Sequence, residues 1–297
     1  MGMKSNIPLL CGVLMLAAGC AREEPASAEA TAPQEERYAM VGQIITVDRE
    51  KHVLVVDHEE IPGYMPAMVM EFVVSPGDTA NAHEGQRIRA DMVPTTDGIY
   101  RLENIWPADN VAESTVKAGA DALRQDTLIR GRGAYREIGE NLPNFALYDQ
   151  TGAVVQSARF RGKQIMLNFI YTRCPVVTMC PAATMKMIET QQLANEAGVK
   201  NLELISITLD PEYDTPGVLR DYAQARGTDT SNFSFLTGPE RAIKDLLTQF
   251  GVIAQFEGSI IKHTLGTLLI NEEGRIVYRA DGTVWDPKSF VARMHRS

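Results

Sequence analysis

The sequence predicts two domains of different class, a small all-β barrel of the OB type followed by an α/β domain. Three observations predict this. From Tyr38 to about Pro107, short β-rich runs are separated by turn signals. From Ile138 onward, apolar β-branched runs alternate with helix-prone stretches, the pattern of strands laid side by side under helices. Between them lies a stretch with no strong core pattern. The chain has 297 residues, enough for two ordinary cores. Its net charge is −9 with no basic cluster, which excludes an electrostatic nucleic-acid binder.

Residues 1–20 read as an export signal. Lys4 supplies the charged start and Ile7 to Leu16 the apolar run, too short for a comfortable membrane span. Ala17-Ala18-Gly19-Cys20 resembles a bacterial lipoprotein cleavage box, which makes Cys20 the lipidated first residue of the mature chain. Ordinary cleavage and an uncleaved anchor are the alternatives. Of the four cysteines, Cys11 and Cys20 fall in this segment, leaving Cys174 and Cys180 as the thiols of an exported chain. Residues 21–37, rich in Ala, Glu, Pro and Ser, read as a flexible tether.

The barrel is placed at 38–108. Its strands are read at Met40 to Val47, Val53 to Val56, Met68 to Val74, Gln86 to Val93 and Ile99 to Ile105. Met68 and Met70 are two apart, so on a strand they share a face. His58 ends the strand before them. Thioether and imidazole on one face suit Cu(I) or Ag(I); core packing is the competing reading of the same methionines. The run from His58 through Met68, Met70 and Phe72 resembles the CusF-like periplasmic copper-binding domain. That resemblance implies His58, Met68 and Met70 as ligands. Met65 stands where some members carry a shielding tryptophan, as a fourth ligand or a cover. Trp106 is read as packing, and His52 and His83 as solvated turn residues.

Residues 109–137 are expected to be a linker. Val111 to Leu123 is polar and helix-prone, and Gly131-Arg132-Gly133 breaks whatever precedes it. The α/β domain, 138–297, opens with a hairpin at Leu142 to Leu147 and Asp149 to Gly152. Central strands follow at Ile165 to Tyr171 and Leu202 to Leu209, in a mainly parallel sheet. Thr215-Pro216 starts a helix as N-cap and first residue. A short strand at Phe233 to Leu236 and a helix from Pro239 to Phe250 come next. Thr264 to Asn271 and Arg275 to Ala280 pair across a turn, and Asp286-Pro287 begins the last helix.

The chemistry concentrates between the Ile165 strand and a helix over about 182–197. Cys174 and Cys180 lie six apart there, and strand, two-cysteine loop and helix make a thioredoxin-like arrangement. Pro181 marks the helix start, so Cys180 sits where the helix dipole favours a thiolate. Arg173 adds a positive charge beside Cys174. Both thiols are expected to deprotonate, as nucleophiles or as ligands for a soft metal.

Four ordered motifs resemble the SCO/SenC family of copper-handling thioredoxin-fold proteins. They are Asn168-Phe169-Ile170-Tyr171-Thr172-Arg173-Cys174-Pro175 with Cys180-Pro181, Thr208 to Pro216 with its Asp210-Pro211 and Asp214-Thr215-Pro216, Phe235-Leu236-Thr237-Gly238, and His263. Five residues rather than three separate the cysteines here, and Lys262 replaces the usual acidic residue before the histidine. The resemblance implies Cys174, Cys180 and His263 as copper ligands, and Cys174 with Cys180 as a reversible redox pair. His263 is expected to begin a strand. Asp210 or Asp214 would orient it or serve only as turn and capping residues. Met179, Met185 and Met187 are read as packing.

Together the two resemblances imply a periplasm-facing, lipid-anchored copper chaperone in the bacterial envelope. Its copper would be Cu(I), with Cu(II) as a second state, delivered to or prepared for the binuclear centre of cytochrome c oxidase. A relay from the barrel to the cysteines is expected, since a flexible connector of ~30 residues spans roughly 30 Å. The alternative is a thiol-disulfide oxidoreductase that acts on a periplasmic thiol partner without metal.

Overall fold

A computed structural model describes residues 35–131, 133–257, 260–264 and 266–295. The signal segment, with Cys11 and Cys20, lies outside the described residues. From Glu35 onward the chain forms one compact unit.

The barrel contains β1 (Tyr38–Asp48), β2 (Val53–His58), β3 (Met68–Val73), α1 (Pro76–Asn81), β4 (Arg87–Pro94) and β5 (Tyr100–Pro107). Its strands close in the order β1-β2-β3-β5-β4. β1 is long enough to pair β2 with one half and β4 with the other, and the two ladders overlap at Gly42 and Gln43. A Cβ at Gly42 would stand 2.6 Å from the Val56 side chain, so the bend that closes the barrel needs glycine there. A register shift between Ile44 and Thr46 turns the strand further. Alternation puts Leu54, Val56 and His58 inside on β2, with Ile44, Phe72, Ile88, Met92 and Leu102 buried around them.

Two elements depart from the sequence reading. Pro76-Gly77-Asp78 has turn composition, yet it opens α1, with the Ser75 hydroxyl accepting from the Asp78 N–H at 3.0 Å. The expected linker contains a helix, α2 (Asn110–Arg130). Asp109 caps it by accepting from the Ala112 N–H at 2.7 Å. Its inward stripe is sparse, only Val116, Ala120, Leu123 and Thr127. Polar pairings hold it instead: Arg124 on Asp245 at 3.0 Å, and the Gln249 amide on the Thr127 hydroxyl at 2.9 Å. Arg136, just beyond the helix, bridges back to Asp126 and donates to Gln249 at 2.7 Å. The connector is therefore packed on the second domain and does not act as a free chain.

The second domain continues with β6 (Ala146–Asp149), β7 (Val154–Gln156), β8 (Gln164–Ile170), α3 (Cys180–Glu196), β9 (Leu202–Thr208), α4 (Pro216–Ala225), β10 (Phe233–Thr237), α5 (Glu240–Gln249), β11 (Ala254–Glu257), β12 (Ile260–His263), β13 (Gly266–Ile270), β14 (Ile276–Asp281) and α6 (Pro287–Val291). The described residues give a sheet ordered β14-β13-β8-β9-β10-β6-β7. It is parallel only at its centre, β8 with β9 and β9 with β10; hairpins at both edges make the rest antiparallel. The mainly parallel sheet expected from sequence is thus a mixed one. His263 ends β12 in a two-stranded ladder with β11, where it was expected to begin a strand. β8, β9 and β10 are buried at every position, as befits central strands covered on both faces.

The barrel is seated on this domain through α1 and α4. A Cβ on Gly77 would meet the Gly217 carbonyl at 2.2 Å, so the two helices touch backbone to backbone. Arg220 donates to Asn81 Oδ1 at 2.6 Å, and the Asn81 amide donates to the Gln150 carbonyl at 3.0 Å. Trp106 packs edge-on against Tyr148, with ring centroids 5.8 Å apart.

Candidate metal sites

In the barrel, His58 is 1% exposed. Its Nδ1 lies 2.7 Å from the Glu59 carbonyl, which can only accept, so Nδ1 carries the proton. Nε2 is left with its lone pair, buried and without a hydrogen-bond partner. A buried nitrogen in that condition is costly unless something binds it. β2 and β3 pair with His58 opposite Met68 and Val56 opposite Met70, so both thioethers share the register face of the imidazole. Met68 is 46% exposed, whereas Met70 packs partly against the core. Phe72, next on that face, stands edge-on to His58 at 6.0 Å. A lone imidazole nitrogen beside two thioethers is a soft to borderline donor set suited to Cu(I). Met65 closes a tight turn by exchanging backbone hydrogen bonds with Ile61 and packs against the barrel core.

In the second domain, β8 runs into the loop that bears Cys174, and α3 begins at Cys180 with Pro181 in its first turn. Cys174 and Cys180 are not joined in a disulfide, and both are buried. Val176 and Val177, between them, are exposed. Burial pushes the Cys180 thiol well above its ordinary value; a Tyr171 backbone hydrogen bond opposes this, and the neighbouring Cys174 adds to the rise. The thiolate expected from the helix N-terminus is outweighed by desolvation, because the dipole acts on a group shut away from water. A cation among the ligands is what would reverse that balance.

Arg173 does not serve the thiols. Its guanidinium donates to Asp210 at 2.7 Å and lies over the Tyr213 ring at 4.5 Å. Asp214 is engaged too. It accepts from the Thr172 N–H at 3.2 Å, from the Thr172 hydroxyl, and from the Thr208 hydroxyl at 2.5 Å. Burial lifts its carboxyl to about 6 against those donors. Asp214 therefore anchors the cysteine loop two residues before Cys174, a role that spacing alone does not reveal. Met179 packs on the core and Met187 is buried, while Met185 is exposed. The His263 side chain lies outside the described residues. Among the described residues no group of three or more His, Cys, Asp or Glu side chains is placed to hold a metal ion. No helix among them is long and apolar enough to cross a membrane.

These features define a two-part protein, a barrel with a histidine–thioether mouth joined to a thioredoxin-like domain with a buried dithiol. The chain belongs to the SCO1/SenC family, whose family model matches residues 134–297. The family model "Copper binding periplasmic protein CusF" matches residues 37–107. An SCO2-like protein of Rickettsia typhi is 31% identical over 140 residues, 45% of this chain and 66% of its own length. The mitochondrial SCO2 homologue of Bos taurus is 35% identical over 92 residues, 31% of this chain and 34% of its own. The chain thus spans less than two thirds of the length of these curated relatives. Among solved structures, copper-bound ScoI of Bradyrhizobium japonicum is 26% identical with a TM-score of 0.44, covering 52% of this chain and 96% of its own. An SCO1/SenC family lipoprotein of Bacillus anthracis is 24% identical with a TM-score of 0.49, covering 54% and 96%. Of the two family models, the one matched by the barrel carries copper binding in its description.

Proposed function

We propose that this chain is a lipid-anchored copper chaperone facing the periplasm, with Cys20 as the anchored residue. In this reading His58, Met68 and Met70 capture Cu(I), and Cys174, Cys180 and His263 receive it for delivery to the copper centre of cytochrome c oxidase or another acceptor. The observation that carries the reading is the buried, unpartnered Nε2 of His58 on the face shared with Met68 and Met70. Glu59 fixes the tautomer, so the lone pair needs no rearrangement to bind. Thioethers and imidazole are neutral ligands that bind without losing a proton. Thiols must lose one, so their hold on copper weakens as pH falls. Thiolates are the stronger Cu(I) donors, which directs copper from the barrel to the cysteines.

The test is copper stoichiometry on the reduced full chain, beside His58→Ala and Cys174→Ser. Two copper ions on the unaltered chain and one on each variant support the reading. Unchanged stoichiometry in His58→Ala sinks the barrel half, and in Cys174→Ser the cysteine half.

The neighbouring Cys174 and Cys180, unjoined by a disulfide, also favour a second reading, thiol-disulfide exchange without metal. The Cys174 thiolate would attack a partner disulfide, and Cys180 would resolve the mixed disulfide. Two electrons pass to the partner, leaving Cys174 joined to Cys180. Exchange activity that persists in His263→Ala with chelator present would favour this reading over the first.

A further inference from the structure

The barrel's metal mouth and the cysteine loop belong to one compact unit, but the seat between the domains keeps them apart. The barrel end that touches the second domain carries Leu54, Ile88 and Pro107, which line a crevice with Thr151, Pro216 and Gly217. His58 is four residues along β2 from Leu54, roughly 13 Å at strand rise. The mouth therefore opens at the end of the barrel away from the seat. On the other side of the seat stands α4. It turns Gly217, Arg220 and Asp221 to the barrel and buries Leu219, Tyr222 and Ala223 in the second domain. The Tyr222 hydroxyl meets Thr184 at 2.8 Å, and the Thr184 hydroxyl donates to the Cys180 carbonyl at 3.1 Å. A whole helix thickness, about 8–10 Å between packed axes, thus separates the seat from Cys180. Nitrogen and sulfur ligands stand about 2–2.3 Å from a metal such as zinc, so direct exchange of copper needs both donor sets at one point.

Nothing in the connection offers slack. Only Ala108 and the capping Asp109 lie between β5 and α2, and the Ala108 N–H donates to the Arg87 carbonyl at 2.9 Å. α2 is held to α5 by Arg124–Asp245 and Gln249–Thr127. The barrel is held by the Gly77–Gly217 approach and by the bonds of Asn81.

From this geometry we infer that copper passes between two copies of the chain, from the barrel mouth of one molecule to the cysteine loop of another. The inference rests on the capture-and-transfer reading above. Both rims suit a brief encounter between copies. Met68 and Val69 are exposed beside the mouth, and Val176 and Val177 are exposed in the cysteine loop, 76% for Val177. Copper stays Cu(I) throughout. Thioether and imidazole depart as neutral groups, and each thiol that replaces them releases a proton to solvent.

The test uses the full chain. Its cysteines are oxidised, its barrel is loaded with Cu(I) under nitrogen, and a phosphine reductant starts the reaction. Transfer is followed by the ultraviolet charge-transfer band of Cu(I)-thiolate. A second arm mixes a copper-loaded Cys174→Ser/Cys180→Ser chain with a differently tagged, reduced His58→Ala chain, separates them and measures copper in each. Transfer between copies predicts that about tenfold dilution slows the fractional rate about tenfold, and that copper appears on the His58→Ala chain. A rate independent of dilution, or copper that moves in the unaltered chain but never between the tagged chains, overturns the inference and leaves the relay standing. Copper that stays on the barrel at every concentration overturns the relay itself.

Discussion

Gly217 at the start of α4 and Asp78 in α1 lie so close that a methyl group on Gly217 would stand 2.0 Å from Asp78 Oδ1. The barrel seats on the second domain because Gly77 and Gly217 carry no side chain at the crossing, which leaves room for Asp78 and Asp221. α1 is too short to supply many apolar contacts, so close backbone approach and the bonds of Asn81 take their place.

Gly217→Ala is expected to destabilise the protein by about 1–3 kcal/mol, the usual range for forcing an extra methyl into a packed contact. Urea unfolding measures this. A midpoint equal to that of the unaltered chain would show that the crossing relaxes freely.

Asp78 gives the seat a pH signature. Burial lifts its carboxyl from 3.8 to about 7, with the Ser75 hydroxyl opposing and Asp221 adding. A carboxyl with a raised folded-state value binds protons more readily folded than unfolded. Stability therefore falls as pH rises between 3.8 and about 7, by up to about 1.4 kcal/mol per pH unit, and levels off above. Asp214 contributes the same sign up to about 6. Asp78→Asn should flatten the slope between pH 6 and 7, leaving the variant the more stable protein at pH 8. Identical urea midpoints across that window in both proteins would contradict the assignment.

Asp214→Ala removes the acceptor for the Thr172 N–H, the Thr172 hydroxyl and the Thr208 hydroxyl. The expected loss is roughly 2–4 kcal/mol, since buried donors are left unpaired. The cysteine loop should loosen with it. Faster alkylation of Cys174 under native conditions is the measurement, and an unchanged rate would show that the loop holds without this carboxylate.

Met68→Leu separates ligand from packing. Met68 is 46% exposed, so a near-isosteric hydrocarbon should cost well under about 1.5 kcal/mol of stability. The same change removes a thioether, and Cu(I) or Ag(I) affinity of the barrel should fall at least about tenfold, some 1.4 kcal/mol. Competition with a chromogenic Cu(I) chelator reads the affinity, and unfolding reads the stability. Loss of both together would mark Met68 as a packing residue.

Legibility in the sequence followed the strength of local patterns. The barrel strands and the central strands of the α/β domain were readable because alternation and continuous apolar runs report burial directly. The start of α3 at Cys180 was readable from Pro181. The helix-prone run at Val111 to Leu123 was readable too, but the packing of α2 was not, because its stripe includes an alanine and a threonine, and because Asp245 and Gln249 lie far along the chain. Spacing at 116, 120, 123 and 127 was the faint signal available. α1 was hidden by its turn-like Pro76-Gly77-Asp78 opening. The state of Cys180 and the engagements of Arg173 and Asp214 depend on burial and on tertiary neighbours, which no motif prints.

The two-faced position of α4 has a consequence for clientele. The flank of the cysteine domain that carries Gly217, Arg220 and Asp221 is permanently tenanted by the barrel. Met179, the residue before Cys180, borders an open groove with Tyr135, Ile138, Gly282 and Thr283, to which the barrel contributes no lining residue. Fusion of the barrel thus acts as a turnstile: bodies that would dock along α4 are refused, and those that come over the groove meet no barrel.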